Sequence, residues 1–360
     1  MQIATPRLCI LTSILWLCSG YISNPQISQI QSYKRKPRSH SSNFPKKAPT
    51  PPFPDGPCNG RIVTIPGEEL YKEQNSSFLN SKVVNPFSSW EDVVLPRRDV
   101  TVWLPREYDL QEHSKDRFPI LYCHDGQNVF LLIYQKTTKA MSDSTSWTGR
   151  SWRLVGTISR LHENSMLRIK TPPIIVLMPS GKSNFPPGLN QRHLEYGDIF
   201  LPTSQAHGNF VARELHPYIM KRFRVKEGPE HTYTIGSSLG GQASLQLVLR
   251  YPEIFGGAAC MSPCFQTGTI AAAVANLVKK HNRLNHCQSL RSKRIYLDNG
   301  GDIDDTRVPM FDIMDHFTMN HPGFFWLDTQ LQPTIDAMRW TFEKGNVNFE
   351  YKKYPGKRMR

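Results

Sequence analysis

The first 54 of the 360 residues contain no aspartate or glutamate, and neither do the last ten. Those stretches hold seven and five Lys/Arg, so the formal net charge of +14 is concentrated at the two ends. Between them 32 basic residues face all 30 acidic ones. A nearly neutral body without a basic stripe interleaved with aromatics argues against a nucleic-acid partner. Also missing is an apolar run of about 20 residues, the length a membrane-spanning helix needs. No stable span is therefore expected in the mature chain. Cysteine is sparse: seven in all, with Cys58, Cys123, Cys260, Cys264 and Cys287 odd in number and irregularly spaced beyond the first 20 residues. That excludes a disulfide framework, and Cys260-Met-Ser-Pro-Cys264 lacks the second ligand pair of a metal site. Cys123 and Cys260 lie in apolar runs, where cysteine is an inert core residue. No internal repeat is visible.

What is present begins with Arg7 and the apolar run Leu8–Cys18, followed by Ser19 and Gly20. A basic start, a short apolar core and a small-residue exit predict a secretory signal peptide over residues 1–20. The acid-free, Ser- and Arg-containing stretch to Pro54 also suits import into a plastid or mitochondrion, and that alternative stays open. Residues 21–57, with Lys34-Arg35-Lys36-Pro37-Arg38 and the proline cluster Ala48–Pro54, cannot bury a core and read as a disordered linker. Asn75-Ser76-Ser77 is a glycosylation sequon that matters only in a secreted chain.

Residues 58–360 read as one α/β domain. The β-branched Asp99–Leu104 and the apolar Ile120–His124 and Pro173–Pro179 predict strands, as do His231–Ser237, Gly256–Met261, Arg294–Leu297 and Val347–Tyr354. Helical spacing appears at Ser151–Leu161, at Asn209–Phe223 despite Pro217, after Ser238 to about Arg250, and at Ile270–His281 and Gln332–Lys344. Buried strands alternating with helices predict a mostly parallel central sheet with helices on both faces.

Chemistry concentrates at Gly236-Ser237-Ser238-Leu239-Gly240, a G-x-S-x-G between a strand and a helix. In this nucleophile elbow the serine occupies a strained turn and projects its hydroxyl above the sheet edge. The glycines let strand and helix approach closely. A serine at a helix N-terminus also meets free N–H groups that favour a developing oxyanion.

Together with the elbow, Arg98–Pro105, the block Phe118–Asn128, Gly149-Arg150-Ser151-Trp152, Arg192-His193-Leu194-Glu195-Tyr196 and Tyr251–Phe255 resemble the putative-esterase family of α/β-hydrolases. That family includes enterochelin, feruloyl and acetyl-xylan esterases and S-formylglutathione hydrolases, and the resemblance covers about residues 95–356. It implies the α/β-hydrolase fold, no cofactor, and a small-molecule or carbohydrate-linked ester as substrate. Ser238 would be the nucleophile, and the N–H groups of Leu239 and of Gly126 or Gln127 the oxyanion donors. Asp302, with Asp304 as second choice, would be the acid. His124, Asp125, Arg192, Glu195 and Tyr196 would lie near the substrate pocket. His124 reads equally as a core histidine, and Arg192 and Glu195 as structural ion-pair partners.

One element of the pattern is not found. The family's histidine follows a Tyr-Pro-Gly-like turn after the last strand, whereas Tyr354-Pro355-Gly356 is followed only by Lys357-Arg358-Met359-Arg360. His316 and His321 follow the acid but precede the last helix and strand, and Thr306–Trp326 reads as an insertion. Three expectations stand side by side: a working esterase whose sequence continues beyond Arg360, a catalytically impaired esterase fold used as a binding module, or an insertion that returns His316 or His321 to the serine.

Overall fold

The computed structural model describes residues 58–70, 95, 98–129, 152–167, 169–180, 191–278, 289–300 and 322–354. The presumed targeting segment and linker, Asn75, Cys287, Asp302, Asp304, His316 and His321 lie outside the described residues.

The strands are β1 (Arg61–Ile65), β2 (Val100–Leu104), β3 (Ile120–His124), β4 (Ile174–Met178), β5 (Thr232–Ser237), β6 (Gly257–Met261), β7 (Arg294–Gly300) and β8 (Asn348–Tyr354). They form one sheet in the order β1-β2-β4-β3-β5-β6-β7-β8. The β1–β2 and β2–β4 pairings are antiparallel, and every pairing from β4–β3 onward is parallel. The helices with a bearing on the site are α1 (Leu154–Glu163), α2 (Gln191–Glu195), α3 (Pro202–Asn209), α4 (His216–Arg222), α5 (Leu239–Arg250), α6 (Thr267–Val278) and α7 (Pro322–Gly345).

The period-2 geometry of a strand sends alternate side chains to opposite faces, and the core divides accordingly. Ile120, Tyr122, Ile174, Val176, Ala258 and Cys260 join one cluster, with residues of α4 to α7. Leu121, Cys123, Ile175, Leu177, Ala259 and Met261 join the other, covered by Leu154, Val155, Ile158 and Leu161 of α1. Both faces are thus buried, which explains why β4 and β6 are apolar at every position and β3 at all but its last, His124. All five residues are buried in each of these strands.

Several elements differ from the sequence expectation. β1 was not anticipated, although Ile62-Val63-Thr64-Ile65 is wholly β-branched and stopped by Pro66. Helical backbone begins at Pro202, seven residues before the expected Asn209, and widens to a π-helical stretch over Phe210–Leu215 before α4. Pro217 has no N–H, and its ring would crowd the carbonyl four residues back. A wider turn ahead of it relieves that conflict. α7 starts at Pro322, so Pro322–Trp326, expected within an insertion, belongs to the final helix. Among the described residues no helix is long and apolar enough to cross a membrane.

Two core histidines couple this packing to pH. His216 meets the Tyr122 hydroxyl through Nδ1 at 2.9 Å, and burial holds its pKa down to about 4. His207 is buried between His124 and Tyr196, and burial, then the charges of Arg98 and Arg250, hold its pKa at about 3. Both are neutral when folded, and the unfolded chain takes up a proton at each near pH 6.5. Their contribution is therefore complete above that pH and is lost as pH falls toward about 4 and 3. Urea denaturation between about pH 6 and 4.5 should show unfolding free energy falling by about 1.4 kcal/mol per pH unit for each histidine. His216→Phe and His207→Gln should each flatten that slope by one such increment. An unchanged slope would contradict the assignment.

Candidate functional site

The site is built at the C-terminal ends of the parallel strands, where β5 turns into α5. Between them Ser238 has φ 59° and ψ −124°, a region L-residues rarely occupy. Such a conformation costs on the order of 1–3 kcal/mol and persists only where its surroundings impose it. They do so here through both flanking peptides. The Ser238 N–H donates to Met261 O at 3.0 Å, and its carbonyl accepts from the N–H groups of Gly241, Gln242 and Cys264 at 3.0, 3.2 and 3.1 Å. The carbonyl of Ser237 accepts from Arg192 Nη2 at 3.2 Å.

The motif glycines have separate reasons. A Cβ on Gly236 would stand 2.3 Å from the Gly240 carbonyl oxygen, so no side chain fits where helix crosses strand. A Cβ on Gly240 would stand 2.9 Å from Asp125 Oδ2 and 3.3 Å from the His124 Cβ. The second glycine therefore makes room for the loop after β3 rather than for the elbow itself.

That loop starts at Asp125, in left-handed backbone (φ 53°, ψ 43°), and continues as a 3-10 turn over Gly126–Asn128. A Cβ on Gly126 would lie 2.7 Å from backbone atoms of Leu177, so the loop lies flat on the end of β4. Gln127 is tied side chain to loop: its Nε2 donates to Ser180 Oγ at 2.6 Å and its Oε1 accepts from Ser180 N at 3.0 Å. The N–H of Leu239 is a first-turn donor, which helical bonding leaves unsatisfied, while the Asn128 N–H closes its turn onto Asp125 O at 2.8 Å. Asn128 O accepts from Trp152 N at 2.7 Å, which joins Trp152 and the start of α1 to this rim.

The remaining candidates lie beneath. Arg192 forms a bidentate pair with Asp125, Nε to Oδ1 and Nη2 to Oδ2, both 2.8 Å. Its Cζ sits 5.6 Å from the centroid of the Tyr196 ring. Burial opposes the guanidinium charge, but Asp125 more than offsets it and the pKa is raised. Glu195 is buried and accepts from Arg98 and Gln191. Tyr196 is fully buried, edge-on to His124 at 5.0 Å between centroids. His124 is fully buried too, and burial, then the neighbouring His207, drives its pKa well below the usual histidine value. Its Nδ1 meets Ser244 Oγ at 3.0 Å, and that hydroxyl donates to Gly240 O at 2.9 Å. The structure thus brings Asp125, Arg192, Tyr196 and His124 together beside Ser237 and Gly240, while Glu195, three residues after Arg192, pairs with Arg98.

Four further histidines are engaged elsewhere, His216 with Tyr122, His113 with Asp116, and His162 and His231 beside Glu107 and Glu230, whereas His193 follows Arg192 on α2, where burial and then the Arg192 charge lower its pKa. At the same sheet edge, Gly300 of β7 pairs with Tyr354 of β8. The segment that carries Asp302 starts one residue beyond Gly300.

Three residues that the sequence reading did not single out complete the support. Asp298, fully buried near the end of β7, accepts the Ser262 N–H at 2.7 Å and so fixes the turn that holds Ser238 from the β6 side. Gln242 Nε2 donates to the carbonyls of Tyr196 and Gly197 at 2.8 and 3.0 Å, and Gln246 Nε2 to Gly197 O at 2.8 Å. Polar residues on the buried side of a helix otherwise expected to be apolar were the available signal.

A parallel sheet with an antiparallel leading edge, and a serine in strained backbone between β5 and its helix, define the α/β-hydrolase fold. The chain belongs to the putative esterase family, whose model matches residues 96–354. An endo-1,4-beta-xylanase/feruloyl esterase of Xylanibacter ruminicola is 24% identical over 195 residues, which are 54% of this chain and 23% of that protein. The chain therefore spans less than a quarter of the length of that curated relative. Among solved structures, a ferulic acid esterase has 15% identity and a TM-score of 0.47, covering 83% of this chain and 90% of its own. The enterobactin esterase of Shigella flexneri has 14% identity and a TM-score of 0.45, covering 83% of this chain and 54% of its own.

Replacing Gly236 by alanine should destabilise the fold by about 2–3 kcal/mol, because the new methyl meets backbone rather than a movable side chain. The shift in urea midpoint reads this directly. Wild-type stability in Gly236→Ala would mean that strand and helix are not in the close contact described.

Proposed function

We propose that the chain is a serine carboxylesterase-type hydrolase acting through an acyl-enzyme on Ser238. The observation that carries this reading is the Ser238 backbone, φ 59° and ψ −124°, held by both flanking peptides at the start of α5. A conformation so unfavourable has no folding rationale of its own, and it lifts the hydroxyl clear of the sheet. Ser238 Oγ adds to the ester carbonyl, the proton passes to the departing alcohol, and the alcohol leaves an acyl-serine. Water then adds to that carbonyl, and the carboxylic acid departs with Ser238 restored. The N–H of Leu239 and that of Gly126 or Gln127 face the developing oxyanion, each worth about 3–4 kcal/mol in such sites. Asp302 is assigned as the acid of the site, on its place just beyond β7 in the family's chain order.

For substrate we propose a small-molecule or carbohydrate-linked ester, a feruloyl-type ester being the first to try given the relative in Xylanibacter ruminicola. A fluorophosphonate probe should label the chain on Ser238, and Ser238→Ala should abolish both labelling and hydrolysis of p-nitrophenyl acetate and methyl ferulate. Labelling that survives the substitution would overturn the reading. Its complete absence in the folded protein would favour a binding module, recognised by ester ligands that raise Tm without turnover.

We also assign the chain to the secretory pathway, on Arg7 and the apolar run Leu8–Cys18. Expressed with its own N-terminus in a eukaryotic cell, it should carry an endoglycosidase-sensitive glycan that Asn75→Gln removes. An unglycosylated product inside an organelle would point to import instead.

A further inference from the structure

We propose that Arg192 is a positioning residue of the elbow: its guanidinium ties the loop that carries Gly126 and Gln127 to the peptide that precedes Ser238. The proposal rests on the esterase reading for its kinetic consequence, though the tie itself is geometric.

One side chain bridges three parts of the chain. From α2 it grips both oxygens of Asp125, 67 residues earlier, at 2.8 Å each, and donates to Ser237 O, 45 residues later, at 3.2 Å. Asp125 is the residue in left-handed backbone from which the 3-10 turn starts, and Ser237 is the last residue of β5. The two segments that supply the proposed oxyanion donors are thereby set relative to one another through a single rigid planar group. Only a guanidinium does this, because its N–H groups form a fixed fork that matches a carboxylate and leaves further donors for a carbonyl.

The surroundings are shaped for that pair. Asp125 is 2% exposed and Arg192 23%, so both charges are largely withdrawn from water. The face of Tyr196 lies beside the guanidinium, and the missing side chain at Gly240 leaves the gap that Asp125 Oδ2 fills. Residues lining a pocket for substrate are normally left able to meet it. Arg192 has three N–H bonds already committed to the protein, and those bonds point at the site's framework.

A positioning role and a substrate contact differ in kinetics. Misplacing reacting groups by about an ångström lowers the rate of the chemical step by on the order of 100-fold with little effect on binding. Loss of a substrate contact made equally in ground and transition states raises KM and leaves kcat alone. With the full chain, Arg192→Ala should therefore lower kcat for p-nitrophenyl acetate by on the order of 100-fold, with KM within about threefold of wild type. Arg192→Lys, which keeps charge without the fork, should recover less than a tenth of the lost rate. Added ethylguanidinium should restore part of it in Arg192→Ala but not in wild type. Circular dichroism and thermal unfolding establish that the variants fold. If Arg192→Ala does not, Asp125→Asn, which keeps shape but breaks the charged pair, takes its place with the same expected split.

Amide hydrogen exchange reads the tie independently of turnover. Exchange at Asp125, Asn128 and Ser238, whose N–H groups are bonded to Tyr196 Oη, Asp125 O and Met261 O, should quicken in the variants while β4 keeps its wild-type protection. An elevated KM with unchanged kcat, or unaltered kcat and unaltered exchange in a folded variant, would overturn the proposal. Should the wild type itself neither label nor hydrolyse esters, the esterase reading falls. The exchange measurement then still decides the tie.

Discussion

The backbone of Ser238 is the constraint around which the centre of the molecule is arranged. A serine forced into a region that L-residues avoid relaxes unless its neighbours hold it, and here they come from three directions. Met261 and Cys264 hold the Ser238 peptide from the β6 side, the first turn of α5 holds its carbonyl, and Arg192 holds the peptide before it. Each holder is itself secured: the β6 turn by Asp298, α5 by Ser244 and His124, Arg192 by Asp125. Strain at one residue is thus spread over a network of ordinary bonds, no one of which is unusual.

The same network explains why the buried side of α5 is not uniformly apolar. Gln242 and Gln246 reach the carbonyls around Tyr196 and Gly197, Gln246 also meets Ser204 and Thr269, and Arg250 bonds Ser204 O. The segment from α2 to α3 has irregular backbone whose polar groups need partners once buried. Glutamine side chains supply them at fixed reach, whereas leucine would leave those carbonyls unpaired at a cost of about 1–3 kcal/mol each. Asp198 continues the pattern by accepting the Gly268 N–H at 2.8 Å at the start of α6.

Much of this frame was legible beforehand. Continuous apolar runs announced β3 and β4, because a strand buried on both faces must be apolar throughout. Small residues between strand and helix announced the elbow. What stayed hidden had physical reasons. β1 is short, with only Ile65 buried among its five residues, so its pattern was weak. The start of the helical stretch at Pro202 was masked by a polar, glycine-containing segment, and its π-helical turn is a response to Pro217 that no hydrophobic period encodes. At the site, Ser238 and the flanking glycines were evident from local chemistry. The Asp125–Arg192 pair was not, since its members are 67 residues apart and only the folded sheet brings them together. A resemblance could name both residues, but it could not say that they bind each other.

That separation also bears on when the site comes into being. Contacts between distant parts of a chain form late, since the loops between them must close before any bond rewards the closure. The elbow turn is local and could form early, but nothing local holds Ser238 at positive φ. Its support from Met261, Cys264 and Arg192 arrives only after β3, β5 and β6 are side by side and the segment at α2 has docked. A newly made or partly unfolded chain would therefore carry an ordinary serine at 238, relaxed and unreactive. Reactivity at that position would be a property of completed tertiary structure, and a nucleophile made in this way stays quiet until the fold that can shelter it is in place.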